Sequence, residues 1–315
     1  MSEELQVPPA EFQSYYGRPI LKVTRWKEPH LPAYLVLGEL SGALAMVGAM
    51  AHATGRRSLA RTARIGAAAA AYGGGAFLTA ELGRPERFLN MLRVAKPTSP
   101  MSMGSWLLAS HSGLASAAAA SDVTGLLPGI GTLAGAAAAV TGPVLAAYPG
   151  VLLANTAVPA WHSSYRELTM LFAGGAMTAA GAAGLAAGAL RADRTDFEPA
   201  RRLAIVGAVV ESAAGYGLET RDGTDAEPYR TGEGARMLTV ARNLTIGGAV
   251  AALAARRSRV AALASAALLA GGGYCAKAGV LRAGKASAAD PKYVVASQTG
   301  AGRASAGSAP GQRTG

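Results

Sequence analysis

Charged side chains are absent from three long stretches of the chain, Pro97 to Ser121, Val123 to Tyr165 and Leu168 to Leu190. Each meets or exceeds the roughly 20 residues a helix needs to cross a bilayer. Apolar runs bounded by charge or by Gly and Pro predict eight spans, at about 31–54, 62–82, 101–121, 129–160, 167–190, 200–219, 236–255 and 259–283. The expected fold is an all-α integral membrane protein, a bundle of about eight transmembrane helices. An even number of crossings places the N and C termini on the same side, here termed the N side. The expected organisation is a polar N-terminal segment at 1–30, a membrane domain at 31–285 and a disordered Gly/Ser/Ala-rich tail at 286–315.

Composition tests that reading. The apolar content is mostly Ala and Gly, the mean hydropathy is only +0.24, and a soluble Ala-rich helical protein is the alternative. The 43 uncharged residues from 123 to 165 decide against it, because a soluble helix pair there would have no polar face to turn to water. Many of the 41 glycines suit close helix approach in lipid, and Gly175 with Ala179 and Gly184 with Gly188 have small-xxx-small spacing.

The net charge of +11 is distributed as short Arg clusters between apolar segments, which is the pattern of membrane topology rather than of a nucleic-acid-binding face. Arg56, Arg57, Arg61 and Arg64, then Arg191, Arg194, Arg201 and Arg202, then Arg256, Arg257 and Arg259 fall on the far side. These far-side cation clusters lean the N side toward the extracytoplasmic face of the cell membrane. Trp26, Trp106 and Trp161 fall at N-side helix ends and suggest an interfacial aromatic belt there. Residues 1–30 are polar, so no cleavable signal peptide is expected. The single cysteine, Cys275, excludes a disulfide, zinc site or iron–sulfur cluster held within the chain, and no metal site is expected.

Charge inside the hydrocarbon region is costly and marks functional candidates. Glu39 stands eight residues into the first span, about 12 Å deep at 1.5 Å per residue. Glu211, Lys277, Glu81, Arg84 and His162 fall in the same N-side half, and together they suggest a polar cavity opening toward the N side. The fourth span carries Pro143, Tyr148, Pro149, Asn155 and Pro159, so its backbone is expected to line a cavity or to pack within protein. Gly129-Ile-Gly131 with Gly135 opens a membrane helix without a preceding strand, and packing explains it better than phosphate binding. The four histidines, His30, His52, His111 and His162, sit at different depths, which argues against a di-haem site.

The segment Glu81-Leu-Gly-Arg-Pro-Glu-Arg-Phe88, followed by Ser99-Pro-Met-Ser102 and Gly104-Ser-Trp106, resembles the loop between helices two and three of the NrfD/PsrC family of polysulfide reductase membrane subunits. Tyr15-Tyr-Gly-Arg-Pro19, Pro32-Ala-Tyr34, Tyr148-Pro-Gly-Val-Leu-Leu-Ala154 and Arg282 to Pro291 extend the resemblance over about residues 15 to 293. Where relatives commonly carry Gly-Gly in the first helix, this chain has Gly38-Glu39, so no role for Glu39 is carried over.

The resemblance implies a quinone-binding membrane subunit of an oxidoreductase complex, with no redox cofactor of its own. It would exchange electrons between quinone, menaquinone for preference, and a ferredoxin-like iron–sulfur subunit docked on the N side, alongside a catalytic subunit that is often a molybdopterin enzyme. It also places Tyr148 on the family's quinone-associated tyrosine. Quinone chemistry needs donors to both ring oxygens and a proton route, so Tyr148, Arg84, Glu81 and Lys277 are the expected quinone-site residues, and Glu39, Glu211 and His162, by their N-side position, the expected proton-exchanging ones. Glu81 and Arg84 are expected to pair at the cavity mouth, Gly83 and Pro85 to stop the second helix, and Glu86, Arg87 and Phe88 to begin an interfacial turn where a partner docks. A secondary transporter is the main competing class, but no inverted repeat accompanies the single interrupted helix. A passive anchor for a peripheral enzyme is the third reading.

Overall fold

A computed structural model describes residues 20–22, 24, 26–82, 84–191 and 197–298, and among these every regular element is helical. In chain order the α-helices are α1 His30–Ala53, α2 Arg57–Glu81, α3 Pro100–Thr124, α4 Pro128–Ala154, α5 Pro159–Ser163, α6 Tyr165–Arg191, α7 Phe197–Thr220, α8 Glu227–Arg230, α9 Gly232–Ala254, α10 Arg259–Ala289 and α11 Pro291–Gln298. Eight of them have 23 or more residues, and α1, α4, α6, α9 and α10 are long and apolar enough to cross a membrane. Short 3₁₀ helices at Pro85–Leu92 and Thr224–Ala226 complete the N-side connections.

The helices form two groups. The helices α1 to α4 pack on one another in sequence, with α1 also against α4, while α6 packs on α7 and α10, and α9 on α7 and α10. The groups meet where α1 and α4 lie against α6 and α1 reaches α10. Ala and Gly make this possible by letting backbones approach without side chains between them. At the α1–α4 crossing, a Cβ on Gly42 would strike the carbonyl of Gly142. The α6–α7 crossing is built the same way, with Gly181 against the Ala204 backbone and Gly207 against Thr178.

On the N side the core is conventional in size. Trp161 and Phe172 are buried among Leu168, Leu171, Leu218 and Tyr229. Trp161 stacks on Trp26 at 5.6 Å and donates from Nε1 to the Val280 carbonyl at 2.8 Å. The buried Trp161 therefore serves the core, not an interfacial belt, whereas Trp106 is exposed as expected. Tyr229 donates its hydroxyl to the Ala160 carbonyl at 3.1 Å, and burial pushes the phenol pKa up, so it stays a neutral donor.

Two boundaries differ from the sequence expectation. The fourth span does not run to 160: α4 ends at Ala154, and Pro159, which has no N–H to continue the ladder, starts α5 instead. The chain from 286 to 298 is ordered helix. Ser287 Oγ accepts from the Ala160 N–H at 3.1 Å, Lys292 pairs with Glu227 at 2.7 Å, and Tyr293 and Val294 are buried. Residues 299–315 lie outside the described residues, as do Gly83, Arg194 and the Tyr15–Pro19 motif.

Candidate functional site

Three ionisable side chains from three helices meet inside the bundle. Lys277 Nζ of α10 lies 3.0 Å from Glu39 Oε2 of α1 and 3.5 Å from Glu211 Oε1 of α7, and the three side chains are 0%, 1% and 4% exposed. Phe172 of α6 presents its ring face to the ammonium at 5.1 Å, adding a cation–π contact. Room for the group comes from Gly175, whose missing side chain is replaced by Lys277 Nζ and the two carboxylates. Two carboxylates share one ammonium, and Glu39 Oε1 and Glu211 Oε2 are buried with no hydrogen-bond partner. With both carboxylates ionised the group would carry a net negative charge, which is costly to bury.

At the N-side ends of α1 to α4 a second set of polar groups gathers. His30 Nδ1 and Glu81 Oε2 stand 3.6 Å apart, too far for a good hydrogen bond, and both atoms are buried without a partner. Glu81 Oε1 accepts from the Lys27 N–H at 2.6 Å. Tyr34 lies one turn beyond His30 on α1, and Tyr148 stands six residues before the end of α4. The Tyr148 hydroxyl donates to the Pro100 carbonyl, and its ring fills the space left open by Gly104 of α3. His30 and Tyr34 were not among the expected site residues. The His-x₃-Tyr spacing, which stacks both on one helix face, was the available signal.

The remaining expected residues do not share one cavity with these. Arg84 is exposed and does not pair with Glu81, which turns to α1 instead. His162 Nδ1 lies 2.9 Å from the Ala154 carbonyl, and His162 lines a separate N-side cleft of about 810 Å³ with Val151, Asn155, Arg221 and Asp225. The α4 end does line a cavity there, as its prolines suggested. Glu86, Arg87 and Phe88 lie on the 3₁₀ helix Pro85–Leu92, where Glu86 is exposed, the Arg87 side chain lies outside the described residues, and Phe88 lines an apolar groove with α2 and α3. Phe88 is half-buried in that groove.

Two further polar contacts escaped the sequence reading. His111 of α3 is fully buried between Ser41 Oγ of α1 at 3.1 Å and Thr141 Oγ1 of α4 at 2.8 Å. Ser41 gives its proton to the Ala67 carbonyl at 2.8 Å, which assigns the ring proton to Nε2 and leaves Nδ1 to accept from Thr141. Arg64, counted above among the far-side loop cations, is instead buried and bonded to both carboxylate oxygens of Asp122 at 3.0 and 3.2 Å, in space left by Gly48 and Gly135.

A family model described as "Polysulphide reductase, NrfD" matches residues 22–214, which contain α1 to α6, most of α7, Glu39, Glu81, Tyr148 and Glu211. No curated protein sequence matches the chain.

Proposed function

The chain belongs to the NrfD family, membrane subunits of redox complexes, and on that premise we propose that it binds quinone at the N-side mouth of α1 to α4 and exchanges electrons with an iron–sulfur partner. The observation that carries the proposal is the pair of orphaned buried atoms, His30 Nδ1 and Glu81 Oε2, one helical turn from Tyr34 on α1. A ligand with oxygens at both ends of a ring meets both needs: it accepts from an imidazole N–H or a phenol, and in its reduced form it donates to a carboxylate. Quinone supplies two-electron, two-proton chemistry when bound.

The roles of the chain's own groups follow from position. His30 and Glu81 orient the ring at the mouth, and Tyr148 fixes α4 against α3 through its bond to the Pro100 carbonyl. The Glu39–Lys277–Glu211 group lies about 8 Å further along α1 from Tyr34, five residues at 1.5 Å each, and holds one exchangeable proton behind the mouth. In this reading the chain exchanges electrons with a partner docked on the N side, the family's usual partners being iron–sulfur and catalytic subunits. In this reading all eight long helices cross the plasma membrane with both termini on one side, the N side outward. The amphipathic helices α2 and α7, which carry arginines in their first two turns, and the Ser-rich α3 cross as parts of the bundle.

The test is purification of the complex in mild detergent, with mass spectrometry of its subunits and extracted lipids. Near-stoichiometric quinone with an iron–sulfur subunit is expected. Quinone content should fall several-fold in His30→Gln/Glu81→Gln and in Tyr148→Phe while the subunits stay together. A chain that purifies without quinone and without redox partners overturns the proposal.

A further inference from the structure

A groove runs along the far-side half of the seam between the two helix groups. It encloses about 260 Å³ between α2 and α7, with α1 and α6 as its floor. Leu44, Ala63, Gly66, Ala183, Ala187 and Leu203 make it apolar along its length. Small side chains on α2 and α6 keep it open, and an unfilled apolar groove forfeits the dispersion contacts of its whole lining.

The mouth has different chemistry. Arg191, the last residue of α6, lines it and donates to Thr62 Oγ1 across the opening, with Ser58 one turn away on α2. Arg57 and Arg61 are exposed in the first two turns of α2, where the helix N-terminus also favours an anion. On the α7 side, Glu198 is held by Arg201 at 2.7 Å and by Arg202 at 2.8 Å, so the described charges at this rim are predominantly cationic.

We propose that this groove is a binding site for one anionic phospholipid. One acyl chain lies along Ala63, Ala183 and Ala187, and the phosphate sits at Arg191 with the hydroxyls of Ser58 and Thr62. The pairing of a chain-wide apolar slot with a cationic, hydroxyl-lined mouth selects the occupant, since a quinone head brings no charge to meet the arginines. A bound lipid would wedge α2 and α7 apart and tie the two helix groups at the end opposite the redox mouth. The proposal stands independently of quinone binding.

The experiment transfers the purified complex into nanodiscs of phosphatidylcholine with a minor share of phosphatidylglycerol. After return to detergent, retained lipid is counted by native mass spectrometry. One phosphatidylglycerol per chain is expected. Arg191→Gln should lower its retention roughly tenfold, as loss of one charge-assisted contact does, and Arg191→Lys should restore most of it. Ala187→Leu fills the slot and should abolish retention, whereas Ala109→Leu, in the separate apolar groove under Phe88, should leave it unchanged. Equal retention of both lipids, no retained lipid, or quinone in place of phospholipid that is lost in Ala187→Leu overturns the assignment.

Discussion

Gly175 and Lys277 share one volume: a Cβ on Gly175 would overlap the Lys277 ammonium and press on Glu39 Oε2 at 3.0 Å and Glu211 Oε1 at 3.3 Å. The ion group therefore exists because a glycine on α6 faces it. Gly175→Ala must displace a buried charge, and it should destabilise the protein by about 1–3 kcal/mol, the range for overpacking a core. Gly38→Ala, where an added Cβ meets nothing within 4 Å, should change stability little. Thermal unfolding of both in the same detergent checks the contrast, and equal effects would contradict it.

Removing Lys277 should be the most damaging change in the group. Lys277→Met leaves two buried carboxyls without their cation, at a cost of about 3–5 kcal/mol. Glu39→Gln leaves a neutral Lys277–Glu211 pair and should cost less. The triple variant Glu39→Leu/Glu211→Leu/Lys277→Met should recover much of the stability of Lys277→Met, because an apolar replacement removes the desolvation penalty along with the pair. Melting temperatures across the set give the order, and a triple variant no more stable than Lys277→Met would refute this account.

The Arg64–Asp122 pair makes a similar prediction at the far side. Arg64 is 5% exposed and Asp122 23%, so Asp122→Asn leaves a mostly buried guanidinium with its charge uncompensated, costing about 3 kcal/mol. A double-mutant cycle with Arg64→Met should show coupling of about 1–3 kcal/mol. Additive effects would mean that the pair is not a unit.

At His111, volume should matter more than polarity. Without the ring, Ser41 keeps its bond to the Ala67 carbonyl and Thr141 can turn its proton to the Ala138 carbonyl at 3.1 Å. His111→Leu should therefore cost under about 1.5 kcal/mol, while His111→Ala, which leaves a cavity between α1, α3 and α4, should cost about 2–4 kcal/mol. Chemical or thermal denaturation in detergent distinguishes them; a leucine variant as damaged as the alanine variant would show that the hydrogen bonds dominate.

The sequence by itself determined that this is a helical membrane protein and placed the ends of its long helices to within six residues, because an uncharged run of 20 or more residues has few other stable fates. It also marked Glu39, Glu211 and Lys277, because an ionisable group within such a run is conspicuous whatever its neighbours. The LGRP and SPMS segments gave the family. Only the tertiary structure decided which charges meet. Lys277 joins Glu39 and Glu211 across 238 and 66 residues of chain, while Glu81 turns to His30 rather than to Arg84 three residues away. Helix periodicity fixes which face a residue occupies but not which face of another helix lies opposite. In an Ala/Gly-rich bundle the hydrophobic pattern is too uniform to supply that rotation, which comes from close backbone contacts such as Gly42 on Gly142.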